Sequence, residues 1–186
     1  MQKDFSTYND AELALIISER GKHSERAFME VYKRYATGIN AYCTKILNDK
    51  IISEDIFQET FIKFYESVNP QINTNIAGFL VTIARNLCLN YKRNRKNKVD
   101  ITEMEFLAYE TQSYDSVQML EFVNTAVDLL DDEYKEALIL REYNNMEYEE
   151  IAKILNITII NAKTRVCRAK KKVKDLLKPY LNEILS

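Results

Sequence analysis

YEEIAKILNITIINAKTRVCRAK, residues 148–170, contains two helical patterns separated by a short turn. It begins with a short amphipathic helical pattern, and Asn156 and Ile157 follow as a tight turn. Thr158 then has the side chain and the position of an N-cap for a second helix. From Ala162 onward, apolar residues recur in that second helix at three- and four-residue intervals, so one side is buried. This spacing predicts a helix-turn-helix.

The outward side of the second helix is polar, and its charges nearly all have one sign. Short side chains near its N-terminus suit contacts with base edges in a groove, and the cations behind them suit phosphates. A structural helical hairpin with a solvated surface is the alternative, but it does not explain why the charges are basic. We therefore predict a DNA-binding surface made of Asn161, Lys163, Thr164, Arg165, Arg168 and Lys172.

The rest of the chain has the composition of an all-α protein. Its 186 residues include only three glycines and two prolines, too few for a fold built on β-hairpins. Clear helical periodicity is lost over residues 98–115 and returns after Ser116. We expect two small helical domains, residues 1–97 and 116–186, joined by a flexible acidic linker over residues 98–115. The C-terminal domain contains the helix-turn-helix.

Helix starts are indicated by residues whose side chains can accept a hydrogen bond from the first turn. Asn9, with Glu12 three residues later, is typical of a capping box. The other candidate caps precede an apolar pattern in the same way. The N-caps that we expect are Asn9, Ser24, Ser53, Asn75 and, in the C-terminal half, Asp131 or Asp132.

The third predicted helix carries its aromatic residues and its carboxylates on different faces. Phe57, Phe61, Phe64 and Val68 form a stripe that we expect to be buried. On another face, an apolar isoleucine stands among acidic side chains, which suits a protein partner better than water. An ordinary solvated acidic surface is the alternative. The residues of this face are Asp55, Gln58, Glu59, Ile62 and Glu66.

The fourth predicted helix, from about Ile76 to Lys96, has a basic outward face. Leu80, Ile83 and Leu87 lie on its buried side at helical spacing. The outward residues that we select as candidate nucleic-acid contacts are Arg85, Asn86, Lys92, Arg93 and Lys96.

Charge is distributed unevenly, although the net charge is only -2. Residues 83–98 contain six basic residues and no acid, and residues 160–178 contain eight basic residues against Asp175 alone. Between them, residues 99–118 have five acids and no Lys or Arg. A single charged run is usually a solvated helix face, but two basic runs separated by an acidic one favour a nucleic-acid partner. We expect residues 99–118 to be extended, because they have little to bury and much like charge.

Three segments resemble the extracytoplasmic-function sigma factors, in the order and spacing of that family. Residues 148–170 resemble the promoter-recognition domain at the C-terminus. Residues 54–61, EDIFQETF, are similar to the polymerase-binding helix. Residues 79–87, FLVTIARNL, followed by a basic run, are similar to the helix that reads the melted minus-ten element. Asn145 and Asn156 stand where the family commonly has glycine, and asparagine tolerates the left-handed backbone conformation.

The resemblance implies a sigma factor that binds core RNA polymerase and directs it to promoter DNA. The acidic face of the third helix would bind the polymerase, the fourth helix would contact the minus-ten element, and the helix-turn-helix would contact the minus-thirty-five element. The loop before the fourth helix, which contains Asn73, would accept a flipped base. An anti-sigma factor is implied as a further partner, and no cofactor is expected.

Two other classes of function compete with this interpretation. An enzyme is disfavoured, because Glu54, Asp55 and Glu59 lack the Glu-x-x-His pairs of a di-iron site and the single histidine, His23, is far from them. No phosphate-binding glycine loop or nucleophile elbow is present in the sequence. A transcriptional regulator that binds duplex DNA alone through the helix-turn-helix is the alternative, and its N-terminal half would then be a sensor.

The sequence also favours a cytoplasmic protein without membrane insertion. It has no apolar run long enough to span a bilayer, and its N-terminus lacks the apolar stretch of a signal peptide. Cys43, Cys88 and Cys167 are odd in number and widely spaced, so we expect free thiols.

Overall fold

The computed structural model describes residues 4–72, 74–96 and 116–184, and within them every regular element is an α-helix. The all-α class predicted from the sequence is confirmed. None of the described helices is both long and apolar enough to cross a lipid bilayer. The eight helices are α1 (Asp10–Ser18), α2 (Ser24–Leu47), α3 (Lys50–Ser67), α4 (Ile76–Lys96), α5 (Ser116–Asp128), α6 (Asp132–Glu142), α7 (Tyr148–Leu155) and α8 (Ile159–Ile184).

The expected linker over residues 98–115 lies outside the described residues. Its C-terminal boundary is nevertheless defined, because α5 begins at Ser116. The expectation that residues 99–118 are extended is therefore wrong for the last three of them, which are helical. An apolar pattern that starts at Val117 outweighs the polarity of the residues before it.

Helices α2, α3 and α4 pack against one another, and α1 covers one side of α2. Their shared core contains Leu13, Ile39, Tyr42, Phe64 and Leu80, all with at most 1% of their surface exposed. Phe61, Phe64 and Val68 of the predicted apolar stripe are buried, whereas Phe57 is only partly buried. Burial of these large side chains supplies most of the driving force that fixes the orientation of α3 and α4.

The capping predictions for α1 and α4 are confirmed. The amide of Glu12 donates to Asn9 Oδ1 at 3.0 Å, and the Glu12 carboxylate accepts from the Asn9 amide at 2.7 Å, which completes the capping box. At α4, the amide of Gly78 donates to Asn75 Oδ1 at 2.8 Å. Each cap satisfies a backbone N–H that has no partner inside its own helix.

The capping predictions for α2 and α3 are wrong. Ser24 is the first residue of α2 rather than its cap, and its hydroxyl donates to the Ile17 carbonyl at 3.1 Å. Helix α3 begins one turn earlier than expected, because Asp49 accepts from the Ile52 amide at 3.2 Å. Ser53 therefore lies inside the first turn of α3. An aspartate and a serine are both good caps, so the sequence alone does not decide between them.

Helices α5 to α8 form the second group, in which α6 lies against both α7 and α8. Ile139, Leu140 and Ile151 are fully buried between them. Asn156, at φ 54°, ends α7 in the left-handed conformation, as expected from the sequence. The turn places α8 across α7, and the Asn161 amide donates to Thr158 Oγ1 at 3.1 Å, which confirms the predicted N-cap.

We predict that Asn156→Ala destabilises the helix-turn-helix by about 1 kcal/mol, because alanine meets a steric cost at positive φ that asparagine partly avoids. Asn156→Gly should leave the stability close to that of the wild type or raise it, since glycine has no Cβ. Thermal unfolding followed by circular dichroism provides the comparison. Equal stability of the alanine and glycine variants would show that the left-handed turn does not limit stability.

Candidate functional site

The predicted protein-binding face of α3 is exposed as a unit. Asp55, Gln58, Glu59, Ile62 and Glu66 all lie on the solvent side of the helix. Ile62 is 56% exposed although it is apolar, while Ile56 and Phe64 on the opposite side are buried. Glu59 pairs with Lys63 at 3.3 Å along the helix, an exposed contact of little energetic weight.

An apolar groove of about 510 Å³ adjoins this face. Its floor is made by aromatic rings of α2 and α3, among them Phe28, Phe57 and Phe61, and Gln58 and Ile62 form part of its rim. A groove with an apolar floor and a polar rim has the composition of a protein-docking site. The acidic face and the groove together make one continuous surface.

The predicted nucleic-acid residues of α4 divide into two sets. Asn86 and Arg93 are exposed, and Arg93 donates to Asn90 Oδ1 at 3.2 Å. Arg85 and Lys92 are partly buried, and both turn toward the second group of helices. The other two candidates, Lys96 and Asn73, have side chains outside the described residues.

Five of the predicted DNA-binding residues of α8 share one side of the helix: Asn161, Thr164, Arg165, Arg168 and Lys172. Lys163 lies on the other flank of the buried alanines and valines, over the ring of Tyr148 at 5.6 Å from its centre. Asn161, Lys163 and Arg168 are exposed at the surface of the helix-turn-helix. Thr164 is partly buried, and its hydroxyl donates to the Ile160 carbonyl at 2.8 Å. Asn161 and Lys163 stand in the first turns, where a recognition helix meets base edges.

Two basic residues of α8 are held by acidic residues at the start of α6. Arg165 pairs with Glu133 at 2.8 Å. Lys172 bonds to Asp131 and lies over the ring of Tyr134 at 4.6 Å from its centre. The hydrogen bond between Lys172 and Asp131 lowers the pKa of the aspartate and raises the pKa of the lysine.

The same turns of α6 also hold the partly buried cations of α4. Arg85 Nε donates to Glu136 Oε1 at 2.9 Å, and Lys92 Nζ donates to Asp132 Oδ2 at 3.0 Å. The sequence pattern indicates Asp131 and Asp132 only as caps, and it does not predict this acidic segment as a contact surface. The signal that could have found it is the run of acids over residues 131–136, set between two basic helices.

The two groups of helices meet where α2 and α4 face α6 and α7. The Tyr42 hydroxyl donates to Glu136 Oε1 at 2.6 Å, and burial followed by the Glu136 charge raises the pKa of Tyr42 well above its usual value. Lys45 pairs with Asp128 at 3.5 Å. Asn75 also bonds to Glu150 in α7.

Both groups of helices match family models built from known proteins. Residues 31–98 match the family model for sigma-70 region 2, and residues 123–173 match the model for sigma-70 region 4. Together these matches cover more than half of the chain. The ECF RNA polymerase sigma factor SigM of Bacillus subtilis (strain 168) is 27% identical over 158 residues, which is 83% of this chain and 97% of that protein. The chain is an ECF member of the sigma-70 family.

Two further relatives agree with this assignment. The ECF sigma factor SigW of Bacillus subtilis (strain 168) is 29% identical to this sigma factor, over 87% of this chain and 95% of that protein. The sigma factor RpoE from Bartonella quintana, solved in complex with the anti-sigma factor NepR, superposes with a TM-score of 0.65 at 25% identity. That alignment covers 81% of this chain and 96% of the other.

The site residues of this sigma factor are distributed between the two family regions. Region 2 contains the acidic face of α3 and the basic face of α4, while region 4 contains α6, α7 and the first half of α8. The acidic start of α6 therefore contacts basic residues of both regions: Arg165 and Lys172 within region 4, and Arg85 and Lys92 in region 2.

The three cysteines of this sigma factor differ in exposure. Cys43 and Cys88 are fully buried between α2 and α4, whereas Cys167 is exposed on α8. A hydrogen bond with Cys43, followed by burial, raises the pKa of the Cys88 thiol. Thiols that are buried and uncharged react slowly, because the thiolate is the nucleophile.

We predict that a thiol reagent such as dithionitrobenzoate modifies Cys167 alone in the native protein and all three cysteines in denaturant. The absorbance of the released thiolate counts the reacting groups. Cys167→Ser should abolish the rapid reaction of the native protein and lower the number of thiols that react in denaturant by one. A rapid reaction that survives this substitution would contradict the burial of Cys43 and Cys88.

Proposed function

We infer that this sigma factor binds core RNA polymerase through the acidic face of α3 and presents α4 and α8 to promoter DNA. Helix α4 would contact the minus-ten element and α8 the minus-thirty-five element. The observation that carries this proposal is the match to region 2 and region 4 in family order, each with a basic helix on its surface. The protein belongs to a family of initiation factors that perform no catalysis themselves.

The surface of α3 supports the polymerase assignment. The Ile62 side chain is exposed, and its burial in an interface would lower the free energy by about 25 cal/mol per Å² of apolar area removed from water. This favours a protein partner. The surrounding carboxylates, Asp55, Glu59 and Glu66, supply specificity for a basic counterpart. Gln58 joins this face to the aromatic groove.

The surface of α8 supports the promoter assignment. Asn161 and Arg168 are exposed on the same side of α8, which suits insertion of that side into a major groove. Lys163 is exposed on the other flank of the helix, beside Tyr148. Lys172 stands further along the helix, where a phosphate contact is expected. In α4, exposed Asn86 and Arg93 are the residues most available to a melted strand.

Promoter melting requires the polymerase as an energetic partner. Opening ten base pairs at about 1.4 kcal/mol per stacking step costs roughly 14 kcal/mol. Stacking of a few bases returns about 1 to 3 kcal/mol each. A small domain cannot supply the difference, so contacts made by the polymerase must supply the rest.

A helix-turn-helix regulator that binds duplex DNA alone is the weaker proposal. It would require a sensor in the N-terminal half, which instead matches region 2. We also propose an anti-sigma factor as a partner, supported by the Bartonella quintana relative that was solved in such a complex. Transcription takes place in the bacterial cytoplasm, and we propose that location for the protein.

We predict that Gln58→Ala combined with Glu59→Lys weakens binding to core polymerase by at least tenfold while helicity is retained. Charge reversal in the acidic face opposes a basic partner, and loss of Gln58 removes a polar contact. Glu19→Lys is the matched control, because Glu19 is exposed in the first group of helices and lies off this face. Surface-immobilised core enzyme measures the affinity. Unchanged binding of the double variant would remove α3 from the polymerase interface.

A second prediction separates base recognition from phosphate binding within α8. Arg165→Ala in the holoenzyme should cost about 1 to 3 kcal/mol at the preferred minus-thirty-five element and relax discrimination at one or two positions. Lys172→Ala should weaken all promoters alike and reduce the logarithmic salt slope by about one. Transcription across single-base promoter variants at several salt concentrations provides the measurement.

Glu133→Gln is the control for this pair, because it removes the partner of Arg165 and leaves Arg165 itself in place. If Arg165 contacts bases, Glu133→Gln should retain discrimination that Arg165→Ala loses. If Arg165→Ala lowers transcription from every promoter variant equally, base recognition belongs to other residues of α8.

A further inference from the structure

Asp131, just before α6, and three carboxylates in the first two turns of α6 each pair with a cation that is proposed to contact DNA. In region 2, Glu136 accepts from Arg85 at 2.9 Å and Asp132 from Lys92 at 3.0 Å. In region 4, Glu133 accepts from Arg165 at 2.8 Å, and Asp131 accepts from Lys172. Carboxylate oxygens occupy the same N–H donors that phosphate oxygens would use.

The pairs between regions 2 and 4 belong to a packed interface and are not isolated surface contacts. Glu136 also accepts from the buried hydroxyl of Tyr42 at 2.6 Å, and its side chain is 15% exposed. Lys45 on α2 pairs with Asp128 on α5 with 14% of the lysine side chain exposed. Desolvated charge pairs of this kind specify one arrangement of two surfaces.

A glycine permits the two regions to approach this closely. A Cβ added at Gly38 of α2 would lie 2.9 Å from Asn144 Nδ2 and 3.3 Å from the Tyr143 carbonyl oxygen. The three atoms nearest to this added Cβ all belong to region 4. Glycine costs helix stability in the middle of a helix such as α2, so its presence here is explained by the interface.

This arrangement is incompatible with simultaneous contact to both promoter elements. Elements centred near minus ten and minus thirty-five are about 25 base pairs apart, which is roughly 85 Å at about 3.4 Å per base pair. A compact chain of 186 residues has a radius of gyration of about 16 Å and is roughly 40 Å across. Regions 2 and 4 must therefore separate before both can bind.

We propose that the acidic start of α6 is an intramolecular competitor of promoter DNA, which closes region 4 onto region 2 and occupies Arg85 and Lys92. The proposal rests on the proposed function, because it requires those residues to contact DNA. Only open molecules can contact both promoter elements at once, so closure lowers the apparent affinity of the free protein for a promoter that carries both.

Two variants of the full chain test the proposal by independent means. Glu136→Lys replaces the central carboxylate with a cation that repels Arg85, and Glu19→Lys is the control with the same change of charge at an exposed site. Gly38→Leu introduces a steric conflict with Asn144 without a change of charge. Gly21→Leu is its control, because a Cβ at Gly21 meets no atom within 4 Å.

Small-angle X-ray scattering of the free proteins measures the closure, and fluorescence anisotropy with a labelled promoter duplex measures the apparent affinity. A compact chain of this length has a radius of gyration of about 16 Å. We expect the radius of gyration of both test variants to exceed that of the wild type by several Å. We expect their affinity for the duplex to rise by roughly fivefold or more. Both controls should match the wild type.

An unchanged radius of gyration in both test variants would overturn the closed arrangement. An increased radius without increased affinity would overturn the competition with DNA. Transcription by holoenzyme made with each variant distinguishes these outcomes from failure of the proposed function. If the proposed function holds, Glu136→Lys and Gly38→Leu support transcription as well as the wild type does. If no protein in the set directs transcription, the proposed function fails, while scattering still decides whether the closed arrangement exists.

Discussion

The carboxylate of Glu136 is the interaction on which the arrangement of the two helical groups depends. It accepts hydrogen bonds from Tyr42 on α2 and Arg85 on α4, residues that are 94 and 51 positions away in the chain. All three side chains are largely withdrawn from solvent, and a buried carboxylate is tolerated only when it is paired. Loss of the Glu136 carboxylate would leave both the Tyr42 hydroxyl and Arg85 Nε without this acceptor, so one side chain couples α2, α4 and α6. The pairs of Lys92 and Lys45 then extend the interface on either side.

The distribution of charge explains why a nearly neutral chain can bind a polyanion. The net charge of -2 combines basic helices with acids that lie beside them in space. The first turns of α6 place their carboxylates against α4 and α8, so the field of each basic helix is reduced in this arrangement. Net charge therefore understates the affinity for nucleic acid that α4 would have after separation of the two groups, whereas the pairs of α8 lie within region 4 and would persist. The relevant quantity is the local charge of each helix, which the two basic runs had indicated.

The sequence predicted the features that depend on neighbours in the chain and failed for those that depend on distant residues. The apolar periodicity and the left-handed asparagines identified the helices and the helix-turn-helix, because each signal lies within one turn or one helix. Asp49 and Ser53 are competing caps four residues apart, and only the packing of α3 decides between them. The sequence predicted Arg85 and Lys92 as outward residues of α4, but both are partly buried and paired with α6, and that pairing depends on contacts between helices. No periodic pattern encodes such a contact, although the acidic run over residues 131–136 was visible.

The contacts that hold the two groups of helices together differ in strength. Exposed ion pairs such as Lys92 with Asp132, whose aspartate is 82% exposed, contribute about 0 to 1 kcal/mol each. Asn144 Oδ1 is buried at the interface without a hydrogen-bond partner among the described residues, a defect that costs about 1 to 3 kcal/mol. The acidic face of α3 remains exposed in this arrangement, so a protein partner can dock there without prior opening. Binding energy from that surface would offset the cost of separating the two groups, which would release Arg85 and Lys92 of α4, whereas Arg93 is exposed already. The two surfaces therefore differ in this arrangement, because the acidic face of α3 is exposed whereas Arg85 and Lys92 are paired with α6.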